Sequence, residues 1–439
     1  MATPPNPKLS KRVSTAIVSA LSAGVVPRVG LEQVAVGREK ELAVLQQDLE
    51  NIAGGGGAFR LVIGRYGSGK SFVLQLVRNA AMDQGFVVAD ADITPERKVA
   101  GSGSVGIYRE LMKNLATKSR PDGGALAIVL ERWIAGVQTQ VAQETGTKPN
   151  DAGFDDRVEA KIREDVKAVA DLVNGFEFAN VIIAYWNGYR SDNDTQKDAA
   201  LRWLRGEFAT KTEAKAALGV RGIIDDDNWY DYLKLFARFA ADIGYKGLLI
   251  FLDEAVHLYK ITTTVSRQHN YDKLLAMLND ALQGRVAHLG TLVGGTPQFL
   301  EDPRRGLYSD PAWQRRTAAS RLVKVATQDS GPTLRLEPLS QAQVFQLLQR
   351  LAAIHAAHYG NAKAVSDRDL QDFLQVVSQR LGAEALLTPG EIVRDLISVL
   401  NALHQNPKLT LNQVLQGDRQ PPASSNPTRD ADEFAEFTL

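Results

Sequence analysis

A glycine-rich segment of eight residues, 64–71, constrains the fold of this chain more than any other feature. Its sequence is Gly-Arg-Tyr-Gly-Ser-Gly-Lys-Ser, which matches the pattern G-x-x-x-x-G-K-S/T at every defined position. An apolar segment, residues 59–63, precedes it, and a helical pattern follows it over residues 70–84. A strand, a loop and a helix in this order predict a parallel α/β sheet with a phosphate site at the loop.

The residue types of the loop fit the chemistry of a nucleoside triphosphate. Glycines let successive backbone N–H groups point at one phosphate, and the following helix adds the positive end of its dipole. We expect Lys70 to reach the β- and γ-phosphates and the Ser71 hydroxyl to ligate Mg²⁺, so ATP and Mg²⁺ are the predicted cofactors. The alternative is a glycine-rich turn that binds no nucleotide. The loop residues expected to contact the nucleotide are Gly64, Arg65, Tyr66, Gly67, Ser68, Gly69, Lys70, Ser71 and Phe72.

A second apolar segment ends in two neighbouring carboxylates, Asp253 and Glu254. Residues 248–252 are Leu-Leu-Ile-Phe-Leu, a pattern typical of a buried strand. The carboxyl end of such a strand lies at the edge of the sheet beside the phosphate loop. We expect Asp253 to hold Mg²⁺ through water, and Glu254 to orient and polarise the attacking water. For Glu254 the alternative is a solvated charge at a strand end.

Helical patterns dominate the chain between the second and third predicted strands. The second strand is predicted at residues 86–91 and a helical insertion at about 106–245, with no convincing strand inside the insertion. Three consecutive acids, Asp225 to Asp227, come just before a helix. We expect them to cap that helix and to complement its dipole, rather than to bind a metal.

Four parts are predicted along the chain. They are an N-terminal arm at residues 1–34, an α/β core at 35–330, a C-terminal helical domain at 331–416 and a disordered acidic tail at 417–439. The fifth strand of the core is predicted at residues 322–326. A capping box formed by Ser340 and Gln343 is expected to begin the first helix of the C-terminal domain.

Composition excludes several classes of protein. Fifty-one basic side chains balance fifty-one acidic ones, so no global field attracts nucleic acid or a membrane, although a local basic surface could still contact DNA. The absence of cysteine removes disulfides and thiolate sites and fits a reducing cytosol. No apolar run reaches the roughly 20 residues of a membrane helix, and the N-terminal residues lack the continuous apolar core of a secretory signal. We therefore expect a cytoplasmic protein without a membrane contact.

Two histidines are the other candidates for a metal site. His355 and His358 lie three residues apart on a predicted helix, and no third ligand is evident in the sequence. Metal binding is therefore not expected there.

The phosphate loop and the strand ending in two acids resemble those of the AAA+ and related P-loop ATPases. Residues 36–39, Val-Gly-Arg-Glu, precede the first strand and look like the Gly-Arg-Glu box of the origin-recognition and signalling branches. By this resemblance Val36 and Gly37 would line the adenine base, and Arg38 would sit near the nucleotide. The alternative is an ordinary helix N-terminus. The resemblance implies an α/β P-loop NTPase core of the AAA+ type, with a parallel sheet, a large helical insertion and a C-terminal helical domain.

The same resemblance implies residues that act on the γ-phosphate. Thr296, at the exit of a fourth strand predicted at residues 289–293, would sense it, unless it is only a turn residue before Pro297. An arginine before the fifth strand would enter the neighbouring subunit's site and stabilise transition-state charge. Arg321 is the first candidate and Arg316 the second. Each could instead form a surface ion pair, and the local arginine cluster could contact nucleic-acid phosphates.

A closer resemblance is carried by residues 26–31, 35–38, 59–60, 64–72, 123–126, 252–255, 295–297 and 388–389, with Trp133. Taken in order, these segments look like those of the BREX-type ATP-binding proteins (BrxD-like). This resemblance implies an ATP-hydrolysing motor or switch in a bacterial anti-phage defence system. Such a protein would form a homo-oligomer and act with a DNA-processing partner, a helicase-like or other defence-system protein. The alternative is a signalling or adaptor NTPase that uses nucleotide as a slow conformational switch.

One segment departs from the expected pattern. Residues 388–394 resemble the second sensor segment of these ATPases, in which an arginine usually follows the proline. Gly390 occupies that position, which argues against a standard second sensor. Arg394, one helical turn later, is the candidate substitute.

Overall fold

Two compact units make up the chain. The computed structural model describes residues 9–149, 151–167, 172, 174–317, 331–360, 365–380 and 388–417. Gly37–Pro338 form one unit, called here the sheet unit, and Met1–Val36 with Leu339–Leu439 form the other, called the terminal unit. The chain therefore passes between the units twice, at residues 36–37 and at residues 338–339.

A five-stranded parallel sheet forms the centre of the sheet unit. Its strands are β1 Gly57–Ile63, β2 Val87–Asp92, β3 Leu248–Asp253, β4 Leu289–Gly295 and β5 Thr333–Arg335. Their order across the sheet is β2-β3-β4-β1-β5, and every neighbouring pair is parallel. The prediction of a mixed α/β fold with a parallel sheet is confirmed.

The central strands bring their carboxyl ends to one edge of the sheet. All of β4 is buried, as is β3 up to Leu252, which is the pattern of strands covered by helices on both faces. Ile63 of β1 pairs with Gly295 of β4, and Leu252 of β3 pairs with Val293 of β4. We call the ends of β1, β3 and β4, with the residues that follow them, the carboxyl edge.

The fifth strand of the described sheet, β5, comes after the segment that was predicted as the fifth strand. β5 pairs with β1, with Leu61 opposite Thr333, and its residues had been assigned to the C-terminal helical domain. It contains only three residues, too few for a pattern of alternating burial to reveal it. The segment predicted as the fifth strand, residues 322–326, lies outside the described residues.

Helices make up most of the rest of the described chain, and none of them is long and apolar enough to cross a membrane. Two short 3-10 helices, Leu31–Gln33 and Leu307–Ser309, accompany them. In chain order the helices are α1 Lys11–Ser22, α2 Glu39–Ala53, α3 Lys70–Asp83, α4 Val105–Lys113, α5 Leu126–Thr145, α6 Phe154–Asp165, α7 Gly175–Arg190, α8 Asp194–Leu204, α9 Lys211–Leu218, α10 Trp229–Asp242, α11 Val256–Tyr259, α12 Thr264–Leu282, α13 Pro297–Glu301, α14 Pro311–Thr317, α15 Gln341–Tyr359, α16 Asp367–Arg380, α17 Pro389–Gln405 and α18 Leu411–Gly417.

The helices between β2 and β3, from α4 to α10, pack around large aromatic side chains. Trp186, Trp203 and Trp229 are each no more than 1% exposed. The Trp203 indole N–H donates to the Gly222 carbonyl over 2.8 Å, and its ring meets the Tyr232 ring edge-on with centroids 5.2 Å apart. This helical segment shares a continuous apolar core with residues of the sheet.

One of the acidic residues 225–227, Asp226, caps a different helix from the one predicted. The Asp226 carboxylate accepts hydrogen bonds from the backbone N–H groups of Gly103, over 2.9 Å, and Val105, over 2.7 Å, at the start of α4. The helix that follows the cluster, α10, has Asn228 as its N-cap residue, whose side chain makes no capping hydrogen bond. In the turn before α10, the Asp225 carboxylate accepts hydrogen bonds from the N–H groups of Asp227, over 3.1 Å, and Asn228, over 3.3 Å. Asp226 thus joins the beginning of the helical segment to the turn before its last helix.

Helices α1 and α15 to α18 belong to the terminal unit, in which α1 packs against α15 and α17. A capping box at Ser340 and Gln343 begins α15, as predicted, and a second one at Thr388 and Glu391 begins α17. The predicted N-terminal arm and C-terminal helices therefore lie in the same unit.

Candidate active site

The phosphate loop, residues 64–69, joins β1 to α3. Gly67 and Gly69 have φ values of 71° and 94°, in the left-handed region that glycine adopts without a steric penalty. A Cβ atom on Gly64 would lie 2.3 Å from the Ser68 hydroxyl oxygen. That hydroxyl is buried and has no hydrogen-bond partner within the described chain. The side chain of Tyr66 is 84% exposed at the loop surface.

Lys70 is the first residue of α3, and its ammonium group bends back toward the loop. The Nζ atom donates to the Arg65 carbonyl over 3.1 Å. Burial lowers the pKa of Lys70, and the nearby charges of Asp253 and Glu254 act in the opposite direction. The lysine charge therefore lies between the loop backbone and the two acids, where it can balance a phosphate as well as these carboxylates.

Ser71, in the first turn of α3, meets Asp253, the last residue of β3. The Ser71 hydroxyl donates to Asp253 Oδ2 over 2.7 Å. A hydroxyl and a carboxylate are the hard oxygen donors that Mg²⁺ prefers, so the chemistry of this pair fits the predicted metal. These are the two residues that the sequence analysis named as metal ligands.

Glu254 has an unusual backbone conformation directly after β3. Its φ is 58°, in the left-handed region that few non-glycine residues adopt. The Glu254 N–H donates to Asp253 Oδ1 over 2.8 Å, and the Ala255 N–H donates to the Gly294 carbonyl over 3.0 Å. Such conformations cost on the order of 1–3 kcal/mol and concentrate at functional sites. The turn after β3 therefore fixes the backbone position from which the Glu254 side chain extends.

Gly294 is a residue of this site that the sequence analysis missed. It lies in β4, where a Cβ atom would come within 2.2 Å of Asp253 Oδ1. Because glycine weakens a strand interior, its presence there signals a close approach by a neighbouring group. That signal is in the sequence, but the identity of the neighbour is not.

Asp92 adds a third carboxylate to this part of the sheet, and it was also missed. It ends β2 in register with Asp253, whose carbonyl accepts a hydrogen bond from the Ile93 N–H over 2.9 Å. Desolvation raises the pKa of Asp92, and the charges of Asp253 and Asp90 raise it further. An acid in this position favours a bound proton or a bound cation.

Thr296 lies at the exit of β4, as predicted. Its hydroxyl accepts a hydrogen bond from the Phe299 N–H over 3.3 Å and so caps the short helix α13. The residue is therefore at the carboxyl edge but already has a structural partner. Its role as a sensor of the γ-phosphate stays a prediction.

Arg38 contacts the phosphate loop through a backbone carbonyl of the loop. Its Nη2 donates to the Ser68 carbonyl over 2.9 Å, and the residue is only 5% exposed. Gly37 has a φ of 67°, and its N–H donates to Glu39 Oε1 over 3.3 Å. Val36 belongs to the terminal unit. The predicted adenine contacts of Val36 and Gly37 stay predictions.

The three candidate arginines lie in different parts of the chain, and the structure describes two of them. The Arg316 guanidinium donates to Asn279 Oδ1 over 2.8 Å and to the Ala312 carbonyl over 3.0 Å, so it has partners within its own chain. Arg321 lies outside the described residues. Arg394 is in α17 of the terminal unit, 3.9 Å from the Asp395 carboxylate. Among the described residues of the sheet unit, the partners of Arg316 are therefore on α12 and α14, not on the phosphate loop.

Comparison with protein families connects this arrangement to known proteins. Residues 9–419 match the model of the BREX system ATP-binding protein BrxC/D. A comparison with curated proteins gave no match. The family match covers the phosphate loop, the Asp253 and Glu254 pair, the helical segment and the helices of the terminal unit. The chain therefore belongs to the BREX system ATP-binding protein family BrxC/D.

Proposed function

We propose that this chain is an ATPase with an AAA+-like P-loop core, which binds ATP with Mg²⁺ at residues 64–72 and hydrolyses it in anti-phage defence. The observation that carries this proposal is the 2.7 Å contact between the Ser71 hydroxyl and Asp253 Oδ2. This contact joins the residue at the end of the phosphate loop, which follows β1, to the end of β3, although β4 lies between β1 and β3 in the sheet. An ATP-binding family supports ATP as the ligand.

The roles of the residues follow from their positions. The loop N–H groups and the Lys70 ammonium would bind the phosphates, and Ser71 and Asp253 would hold Mg²⁺, which supplies positive charge at the β- and γ-phosphates. Glu254 would orient a water whose oxygen attacks the γ-phosphorus. As that bond forms, the bond to the β–γ bridging oxygen breaks, and ADP and phosphate leave. Thr296 is proposed to contact the γ-phosphate.

Assembly is part of the proposal. In a homo-oligomer, Arg321 or Arg316 would enter the neighbouring subunit's site, and a helicase-like or other DNA-processing protein would be the partner. If an arginine acts in trans, ATP turnover per subunit rises with protein concentration and falls in Arg321→Ala. If turnover per subunit depends neither on protein concentration nor on the Arg321→Ala substitution, the result argues against a trans arginine. Stimulation by duplex or single-stranded DNA, compared at two salt concentrations, tests the DNA contact.

Turnover and binding measured together test the active site. Lys70→Ala should weaken ATP binding, and Glu254→Gln should bind ATP normally while turnover falls by about 10²–10⁴-fold, the usual contribution of a positioned acid or base. Glu144→Gln, an exposed position on α5, is the control and should behave as wild type. Normal turnover in both site variants would overturn the assignment. Tight retention of ADP without turnover would instead support the slow switch or adaptor.

A further inference from the structure

Arg38 forms hydrogen bonds with three separate parts of the sheet unit. Its Nη1 donates to Glu41 Oε1 over 3.0 Å and to the Glu337 carbonyl over 2.8 Å, and its Nη2 donates to the Ser68 carbonyl over 2.9 Å. The three acceptors belong to α2, to the segment after β5 and to the phosphate loop. Arg38 and Glu41 each expose about 6% of their side chains. The guanidinium therefore forms a buried junction.

The position of this junction in the chain is what gives it a role. The chain crosses between the units at residues 36–37 and at residues 338–339. Arg38 lies just after the first crossing, and Glu337 lies just before the second. One guanidinium group thus joins the two connections to each other and joins both to the phosphate loop.

The backbone around Glu337 also lies close to the loop. The Leu336 N–H donates to the Ile63 carbonyl over 2.8 Å, and a Cβ atom on Gly64 would lie 3.3 Å from the Leu336 Cβ. A change in the loop backbone therefore has a short path to residues 336–337. The planar guanidinium fork can hold several acceptors in fixed directions, which a lysine ammonium cannot do.

We propose that Arg38 is a positioning residue that couples nucleotide binding at the phosphate loop to the two chain connections that lead to the terminal unit. The inference rests on the proposed function, because it takes ATP as the ligand of the loop. Phosphate binding fixes the loop N–H groups, and the Ser68 carbonyl then holds the Arg38 guanidinium in its bridging position. The guanidinium in turn holds the Glu337 carbonyl. Coupling of this kind is reciprocal, so the connections also change the affinity of the loop for ATP.

Hydrogen exchange of the full chain, with and without a non-hydrolysable ATP analogue and Mg²⁺, tests the coupling. In the wild type, the analogue should slow exchange of the loop and also of residues 36–41 and 334–340, the latter by about tenfold. At an analogue concentration that saturates Arg38→Lys, the loop should be protected while the effect on residues 334–340 disappears. If the substitution only disturbed the local structure, exchange of residues 334–340 would change both with and without the analogue. The difference between these two states would then stay as in the wild type.

Arg60→Lys is the matched control. Arg60 donates to both carboxylate oxygens of Asp48 on α2, over 2.7 and 2.8 Å, and to the Gly331 carbonyl before β5. It thus joins α2 to the segment before β5 without touching the phosphate loop. Its variant should keep the full nucleotide-dependent protection of residues 334–340. Thermal unfolding tests whether both variants are folded. If Arg38→Lys is unfolded, Glu41→Gln is used instead, because it removes the carboxylate that bonds to Arg38.

Two outcomes would overturn the inference. If the Arg38 variant binds the analogue and keeps the protection of residues 334–340, the coupling does not run through Arg38, and the proposed function is unaffected. If direct titration shows that the wild type does not bind the analogue, the proposed function and the inference both fail.

Discussion

The carboxyl edge and the helical segment between β2 and β3 are stabilised by different kinds of contact. At the edge, partly exposed polar groups bond to each other, as Ser71 does to Asp253, and Glu254 adopts a left-handed conformation. In the helical segment, aromatic side chains such as Trp203 are almost fully buried. Burial of apolar area stabilises a fold, whereas strain and polar clusters mark places kept for binding. Substitutions in the two regions should therefore have separable effects.

Trp203→Ala should have the largest effect and should act on stability. The variant loses a buried indole, its hydrogen bond to Gly222 and its edge-on contact with Tyr232. We expect a loss of about 3–5 kcal/mol in the free energy of unfolding, measured by denaturant titration. Lys215→Ala, an exposed position on α9, should change it by less than about 0.5 kcal/mol. If Trp203→Ala instead lowered ATP affinity without lowering stability, the separation between the two regions would fail.

Gly294→Ala should lower ATP turnover by about 10²-fold in folded protein, because the new methyl group would displace the Asp253 carboxylate. The control is Gly290→Ala in the same strand. There a Cβ atom would meet only the ends of the Leu249 and Ile52 side chains. That control should lower stability by about 1–3 kcal/mol and leave turnover per folded molecule unchanged. Equal turnover in the two variants would contradict the role given to Gly294.

Asp226→Ala should have an intermediate effect. It removes the acceptor for the Gly103 and Val105 N–H groups at the start of α4, and a lost helix cap costs about 0.5–2 kcal/mol. Differential scanning calorimetry can detect the change as a lower Tm. Asp227→Ala, the exposed neighbour, is the control and should have a Tm close to that of the wild type. A wild-type Tm in Asp226→Ala would show that the cap contributes nothing.

A fall in pH should have the smallest effect on stability, and it should act through histidines of the terminal unit. Burial lowers the pKa of His355, against the hydrogen bond that its Nε2 donates to Asn401 Oδ1, and burial with the charge of Lys11 lowers the pKa of His358. His404 lowers both pKa values further. Since folding favours the neutral forms, this stabilisation is complete above the ordinary histidine pKa of about 6.5 and is lost as the pH falls below it.

The difference in Tm between pH 7.5 and pH 5.5 measures this effect. It should shrink in His355→Gln, which can still bond to Asn401 but cannot gain a charge. His269→Gln, an exposed histidine of the sheet unit, should leave the difference unchanged. An unchanged difference in His355→Gln would show that protonation of His355 does not govern the acid sensitivity.

The local parts of this architecture could be predicted from the sequence. The apolar segment before Gly64 and the one before Asp253 are strands of a parallel sheet, because each has a strong pattern within a few residues. The order of the motifs also indicated the family that the comparison shows. In both cases the signal is contained in short stretches of chain.

The contacts between distant residues could not be predicted. Arg38 bonds to Ser68 and to Glu337, which are far from it in sequence, and the position of β5 depends on its pairing with β1. Asp226 caps α4, not the adjacent helix, for the same reason. Gly294 could be recognised as a small residue in a strand, but its neighbour Asp253 is on another strand. Sequence patterns identify elements, whereas these contacts depend on how the elements meet in space.

The end of β4 leaves room for the contact between Ser71 and Asp253. Ser71 lies on α3, which packs against both β3 and β4. β4 ends in Gly294 and Gly295, which carry no side chains at that point. A Cβ atom on Gly294 would lie 2.2 Å from Asp253 Oδ1 and 3.2 Å from Leu74 Cδ1 of α3, so the bare backbone of β4 lets the helix and the carboxylate approach each other.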